Sequence, residues 1–382
     1  MKIAFDAKRI FQNKTGLGNY SRTLVTSLSQ QFPANNYFLY APRKTDLYNI
    51  KASSNLEWVG PIDFFSKKFP SIWRSKLMSK DLLKNGVDVY HGLSHEIPQG
   101  LQHAKIKTVV TIHDLIFERY PSQYNPIDVL IHRRKIKFAC KHSYAIIAIS
   151  EQTKKDLIDF YHIDPNKIIV CYQSCSNTFF EEASSNQIEE VRKKYRLPKS
   201  FFLYVGSIIE RKNLLTICKA LNLINKETRI PLVVVGKGKS YLQKVKKYIT
   251  ANGLDHDVLF LAENNEINSQ PDFLVERDLA NIYRCATGLI YPSVFEGFGI
   301  PLLEAMSTGT PVITSNVSCM PEVGDDAVLY INPYDEKDMA MTMEKLINDS
   351  TLRSELSEKG KKRAMHFTWE KCATAVMEVY LK

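Results

Sequence analysis

The chain has no Cys-x-x-Cys pair, no low-complexity tract, no internal repeat and no long apolar run. Its seven cysteines are scattered and odd in number, and the nearest two, Cys171 and Cys175, have three residues between them. This argues against a disulfide framework and points to buried thiols in a reducing compartment. The longest apolar runs, such as residues 144–149, fall far short of the roughly 20 residues that span a bilayer. The chain opens MKIAFDAKRI, strand-like from Lys2, which leaves no room for a signal peptide and makes a cytoplasmic protein the expectation. Acidic residues are scarce in one half only. Residues 1–180 hold 25 Lys and Arg against 14 Asp and Glu, whereas residues 181–382 hold 26 against 27. The whole +10 excess therefore sits in the first half. Such asymmetry suggests a polyanionic partner there, and nucleic acid, an anionic membrane and a phosphorylated substrate all fit.

What is present is ordinary globular composition, 44% hydrophobic and 24% charged over 382 residues, enough for two domains. Strand-like runs rich in β-branched and aromatic residues fall at 2–5, 37–40, 87–90, 108–112, 145–148 and 168–171. A second set falls at 201–205, 232–235, 258–261, 289–291, 312–314 and 328–331. Some lack alternation, as strands buried on both faces of a parallel sheet do. Helix-spaced stretches such as 151–160 and 243–252 lie between them. The alternation predicts an α/β protein of two doubly wound, Rossmann-like domains, 1–180 and 181–368, joined by a polar linker at 174–200. The last segment, 369–382, is helix-like, with Ala373, Val376, Met377 and Tyr380 on one face.

The strongest chemical signal is SVFEGFGIPLLEAMSTGTP, from Ser293 to Pro311, directly after a predicted strand. Gly297 and Gly299 permit a tight turn and close approach of a ligand. Pro301 suits the first helical position, and Gly309 ends a helix over 301–308. The amides of Phe298, Gly299 and Ile300 then point from a helix N-terminus at the carboxyl end of a strand, where open α/β sheets bind ligands. Glu296 and Glu304 flank that turn and suit the hydroxyls of one polyol.

Four further motifs bear on the chemistry. Gly206-Ser207 follows the first strand of the second half, and Arg211 and Lys212 nearby suit a diphosphate, whose charge grows as it leaves. The loop Thr15-Gly16-Leu17-Gly18-Asn19-Tyr20 lacks the third glycine of a dinucleotide fingerprint, yet suits close approach to donor phosphates or acceptor. Asp255-His256-Asp257 mimics a metal–diphosphate motif, but its place after Gly253 and before a strand reads as a polar turn, and no metal site is expected. Phe64, Phe65, Lys67, Lys68, Phe69, Trp73, Arg74 and Lys76, with Arg133, Arg134, Lys135 and Lys137, mix aromatics with cations as a membrane interface does. A solvated basic face over core aromatics fits them equally, and no nucleic-acid motif accompanies them.

The phrase EGFGIPLLEAMSTGTPVITSN resembles the retaining GT-B glycosyltransferases of family 4, whose hallmark is two glutamates separated by seven residues. The likeness extends to the glycines near residue 16, HGLSHEIP at 91, TIHDL at 111, AISEQTKKDL at 148, GSIIERKN at 206 and PEVGDDAVLYINP at 321. Within the family the chain looks closest to mannosyltransferases of bacterial surface-polysaccharide assembly. The resemblance implies two facing domains with an interdomain cleft, acceptor on the first and nucleotide-sugar donor on the second, with the C-terminal helix crossing back onto the first. It implies that Glu296 holds donor-sugar hydroxyls, Glu304 the ribose hydroxyls, and His113, beside Asp114, the donor sugar. His91, Ser94 and Ser150, at neighbouring strand ends, are candidates to line the cleft. Many relatives carry an arginine where Ser207 stands. Retention, a leaving phosphate acting as base, GDP-mannose as first donor, a UDP-sugar as second and a lipid-linked glycan acceptor follow as expectations. Base selectivity is expected in residues 262–276. A nucleotide-sugar epimerase of the same fold and a non-catalytic nucleotide-sugar-binding partner remain the alternatives.

Overall fold

A computed structural model describes residues 1–50, 53–269 and 272–382, so two residues of the expected base-selecting segment, 270 and 271, lie outside the described residues. The chain divides into two compact units, residues 1–174 with 368–382, and residues 175–367.

Unit 1 is built on a seven-stranded parallel sheet: β1 (Lys2–Asp6), β2 (Asn36–Tyr40), β3 (Leu56–Val59), β4 (Val89–Gly92), β5 (Lys107–Ile112), β6 (Ala145–Ala148) and β7 (Ile168–Val170). The spatial order is β3-β2-β1-β4-β5-β6-β7. The period of two along each strand sends alternate side chains into separate layers. Ile3 and Phe5 of β1, with Val89 of β4, enter one core, while Ala4 and Tyr90 enter the other. The first core is closed by the C-terminal helix Trp369–Leu381, which buries Trp369, Ala373, Val376, Met377 and Tyr380 beside helix Gly16–Gln31.

Unit 2 carries a six-stranded parallel sheet: β8 (Phe202–Val205), β9 (Leu232–Val235), β10 (Val258–Phe260), β11 (Gly288–Tyr291), β12 (Val312–Ser315) and β13 (Leu329–Ile331), in the order β10-β9-β8-β11-β12-β13. Both sheets reverse their order once, between β1 and β4 in unit 1 and between β8 and β11 in unit 2. At such a reversal the two flanking connections leave in opposite directions and open a crevice beyond the strands' carboxyl ends.

Three expectations need correction. The strand β3 is missing from the sequence reading, because Leu56-Glu57-Trp58-Val59 is a short, partly exposed edge strand without an apolar run. The polar stretch read as a linker is folded into unit 2. Its segment Ser185–Lys194 is a helix opened by a capping box, in which Ser184 and Gln187 satisfy each other's backbone N–H, and it packs against helix Glu276–Cys285. Thirdly, Gly16 and Gly18 do not lie in a loop: they form the first turn of helix Gly16–Gln31. All seven cysteines are buried thiols, and no helix among the described residues is long and apolar enough to cross a membrane.

Candidate functional site

The unit 2 crevice is shaped by the residues that follow β8. Gly206 adopts φ +143°, and a Cβ there would press within 3.0 Å of Lys212 Nζ. The chain then makes a single 3-10 turn, Glu210–Lys212, ended by Asn213 in the left-handed region at φ 61°. Asn213 holds that conformation by donating its side-chain amide to the Pro333 carbonyl at 2.6 Å. The cations therefore precede helix Leu214–Leu223, whose N-cap is Asn213. This turn carries Lys212 over the end of β11, with Nζ 2.9 Å from the Tyr291 hydroxyl and 4.9 Å above its ring. Ser207, next to Gly206, is exposed.

Glu296 is the hub. Its Oε1 accepts from the Tyr291 hydroxyl at 2.9 Å and the Ser293 hydroxyl at 3.0 Å, and lies 2.8 Å from Arg211 and 3.3 Å from Lys212. Its backbone is clamped as well: the N–H donates to Ser318 Oγ at 3.1 Å and the carbonyl accepts from the same hydroxyl at 2.9 Å. Burial pushes the carboxyl pKa up, but Lys212 and Arg211 outweigh it and hold the value below the usual range. The group is thus a fixed anion. Arg211 is buried and also donates to the Phe295 carbonyl. It is engaged with Glu296 and the loop, and Lys212 beside it is as deeply set.

Helix Ile300–Ser307 begins one residue earlier than the sequence suggests. Gly299 caps it at φ +94°, Pro301 lies in its first turn, and Gly309 leaves it at φ +75°. Phe298 is buried edge-on against Phe367, so its backbone, not its ring, is what it can offer a ligand. Glu304 sits in the second turn, where Tyr283 donates to its Oε2 at 2.7 Å. Burial lifts its pKa to about 7; the Tyr283 hydrogen bond opposes the rise, Glu276 adds to it, and Lys212 opposes it. The folded protein therefore holds a proton on Glu304 from the ordinary carboxyl range up to about pH 7, and this group's contribution to stability falls as pH rises through that window. Thermal midpoints measured from pH 4.5 to 7.5 are expected to show that decline in the wild type and a flatter profile in Glu304→Gln. An unchanged profile refutes the assignment.

In unit 1, Gly18 has a packing reason to be glycine: a Cβ would lie 1.9 Å from the Asn13 carbonyl oxygen. A Cβ on Gly16 would meet nothing within 4 Å. The helix start is satisfied by Asn13 Oδ1, which accepts from the Thr15 and Gly18 amides. His113 is buried, with Nε2 2.9 Å from the Leu93 carbonyl and its ring edge-on to Tyr20. Burial and the neighbouring His95 push its pKa down to about 3, so it is a neutral imidazole with Nε2 as its donor. Asp114 caps the Ile116 amide. Ser94 is buried beyond the end of β4. Two candidates hold the packing of unit 1 together. His91 is fully buried, with Nδ1 2.6 Å from the Tyr380 hydroxyl and Nε2 2.7 Å from Thr111 Oγ1, tying the C-terminal helix to the sheet. Ser150 is buried and caps helix Glu151–Tyr161 through the Thr153 amide. Asp257 pairs with Arg229 at 2.8 Å and Asp255 accepts from Thr250, as a polar turn requires.

The supporting shell of Tyr291, Ser293, Ser318 and Tyr283 is absent from the sequence reading. Ser293 opens the glutamate motif and Tyr291 ends the strand before it, both within local reach of Glu296; Ser318 and Tyr283 are brought in only by the fold.

Comparison with known proteins agrees with this fold. The profile for glycosyl transferases group 1 matches residues 187–363, and that for Glycosyltransferase Family 4 matches residues 16–174. The chain is 27% identical to O-antigen chain mannosyltransferase B of Escherichia coli over 402 aligned positions, covering 100% of this chain and 99% of that protein. A glycosyltransferase from Rickettsia africae ESF-5 superposes with a TM-score of 0.75 at 17% identity, covering 99% of this chain and 97% of the other. Anabaena Alr3699/HepE in complex with UDP superposes at 0.73 with 14% identity, covering 99% of each chain. At these identities the solved structures speak for the fold.

Proposed function

The chain belongs to the family 4 glycosyltransferases of the GT-B fold, and on that footing we propose that it moves a hexose, mannose first, from a nucleotide-diphosphate sugar to a glycan acceptor in bacterial surface-polysaccharide synthesis. The observation that carries the reading is the convergence of Lys212, Arg211 and Glu296 at the β8/β11 reversal of unit 2, one helical segment away from Glu304. Lys212 meets the diphosphate. Glu296, held by Arg211, takes donor-sugar hydroxyls alongside the amides of Phe298, Gly299 and Ile300. Glu304 takes the ribose hydroxyls, Gly206 and Ser207 border the phosphates, and His113 serves the transferred sugar.

The transfer is read as retaining and independent of metal. The acceptor oxygen forms its bond to the anomeric carbon on the face from which the phosphate departs, the carbon–phosphate oxygen bond breaks, and the acceptor proton passes to the leaving phosphate. Lys212 stabilises the charge that accumulates on that phosphate, more in the transition state than before it. GDP-mannose is the preferred donor, a UDP-sugar the second. The E. coli relative's name supports mannose. A panel of GDP, UDP, ADP and their sugars tests the reading, since a ligand of the folded state raises the thermal midpoint with its affinity. GDP and GDP-mannose are expected to shift it; a shift with UDP compounds alone reassigns the donor, and no shift with any nucleotide refutes the function.

We also propose that unit 1 rests on anionic membrane at the cytoplasmic face. Ile62 and Phe64 are 80% and 81% exposed, Phe65, Phe69 and Ile72 are exposed beside Lys67 and Lys68, and helix Pro126–His142 exposes Ile127, Leu130 and Ile131 beside Arg134 and Lys135. Apolar side chains flanked by cations suit an interface. Cosedimentation with phosphatidylglycerol vesicles is expected to fall about tenfold or more in Phe64→Asp/Leu130→Asp. Equal sedimentation of variant and wild type, or equal binding to neutral vesicles, removes the membrane contact.

A further inference from the structure

The loop that leaves β4 is tied to the end of β5 by side chains as well as by backbone. The paired register of the two strands ends at Gly92 and Val110. Three residues on, His95 stands in the left-handed region at φ 63°, and its N–H donates to the Thr111 carbonyl at 3.0 Å. Its side chain turns onto the residue just past β5: Nε2 accepts the His113 N–H at 2.8 Å. In return His113 Nε2 donates to the Leu93 carbonyl at 2.9 Å, and the two imidazole rings lie 5.5 Å apart. Residues 93–95 and 111–113 are thus joined by hydrogen bonds running in both directions. The His113 carbonyl accepts from Thr153 Oγ1 at 3.2 Å, so the backbone of His113 is held on both sides. Tyr20 stands edge-on to its ring, with centroids 4.7 Å apart.

The bond at His95 Nε2 is the informative one. A main-chain N–H needs a lone pair to meet it, so Nε2 of His95 is unprotonated and the neutral ring carries its proton on Nδ1. His113 has the opposite tautomer, because a carbonyl needs an N–H: its proton is on Nε2 and its lone pair on Nδ1. Burial lowers the His95 pKa to about 4, with His132 and Arg9 adding to the fall and Glu96 opposing it, so the ring is neutral at neutral pH. A left-handed backbone at a residue other than glycine is uncommon and persists where its surroundings over-determine it. Here it accompanies an acceptor brought to a main-chain donor beyond the strand end. A side chain without an acceptor at position 95 would strip a buried N–H of its partner, and the chain at 113 would shift to find another.

We propose that His95 is a positioning residue for sugar transfer: by accepting the His113 N–H it fixes where the His113 imidazole stands, so that Nδ1 of that ring meets a hydroxyl of the transferred sugar as an acceptor. The proposal rests on the transferase reading above and deepens it by naming what sets the His113 geometry. His95 acts through His113 and makes no contact of its own with the sugar. The effect of losing it is large for its size, since a misplacement of about 1 Å at a group that orients a substrate costs up to ~10²-fold in rate.

The test uses the full chain and the sugar nucleotide that raises the thermal midpoint in the panel above, GDP-mannose first, with turnover followed as nucleotide release. His95→Phe keeps a ring but has no acceptor. It is expected to lower kcat about tenfold or more while binding the free nucleotide as the wild type does. His95→Gln, whose Oε1 stands in for Nε2, is expected to restore most of that rate. A merely structural histidine would lower the thermal midpoint of both variants and leave the rate per folded molecule unchanged. Long-range 1H–15N spectra of the histidine-labelled wild type add a measurement that needs no variant to fold. They are expected to show His95 unprotonated at Nε2 and His113 unprotonated at Nδ1, with His95 assigned from the signal lost in His95→Gln. The proposal is overturned when His95→Phe keeps the wild-type kcat, when His95→Gln is as slow as His95→Phe, or when the spectra place a proton on His95 Nε2. A wild type that neither binds nor turns over any sugar nucleotide counts instead against the transferase reading, while the spectra still decide whether His95 holds His113.

Discussion

Replacing Lys212 with alanine is expected to lower kcat about 10²–10³-fold while changing the donor KM only slightly. The physical reason lies in where charge appears. In the bound donor the diphosphate is solvated and its charge is spread over both phosphates. As the bond to the sugar breaks, charge concentrates on the leaving oxygen, and a cation already fixed at that point needs no reorganisation to meet it. Lys212 is fixed by the Tyr291 hydroxyl and by Glu296, and the carbonless face of Gly206 leaves it room. Steady-state kinetics on the purified variant, with its thermal midpoint as a folding control, measures the effect. A rise in KM with kcat intact would show that Lys212 contributes only uniform binding, and the catalytic role would be lost.

The second large effect concerns stability. Arg211→Ala is expected to destabilise the protein by about 3–5 kcal/mol, because it leaves a buried carboxylate with one cation in place of two. Glu296→Ala does the reverse, leaving Arg211 buried without its anion. The double variant Arg211→Ala/Glu296→Ala should lose less stability than the two single losses added together, since neither ion then remains to be compensated, yet stay inactive because the hydroxyl acceptor is gone. Urea unfolding of the four proteins gives the coupling directly. Additive losses would mean the pair contributes nothing as a pair. The pH dependence supplies an independent sign. The folded-state pKa of Glu296 is depressed, so its contribution is present above the ordinary carboxyl pKa and is lost as pH falls through the depressed value. Removing Arg211 weakens that depression, and the acid-side loss of stability from this group should shrink.

The acidic pair and its turn were legible for a local reason. Gly299 and Gly309 sit at positive φ, Pro301 lies in the first helical turn, and all the residues that shape the motif are within one short stretch of chain. Local chemistry of that kind is written in sequence order. The linker reading failed although its signal was local too: Ser184 and Gln187 have capping-box spacing, but the low hydrophobicity of 181–186 concealed that Val191 and its neighbours bury one face against helix Glu276–Cys285. The edge strand β3 failed because it is only half covered and presents no continuous apolar run.

Sequence alone settled the two-layered alternation of strands and helices, the place of the glutamate turn at a strand end, and the family resemblance, since each depends on periodicity or on neighbours in the chain. Tertiary structure alone decided which polar groups are engaged. His91 meets Tyr380 across 289 positions, Arg211 meets Phe295 across 84, and Glu304 meets Tyr283 across 21. A residue's type states what it can donate or accept; only packing states whether a partner is already there. That is why His91 and Glu304 were equally visible as chemistry, yet one is a bolt in the core of unit 1 and the other a carboxyl whose proton is held near neutrality.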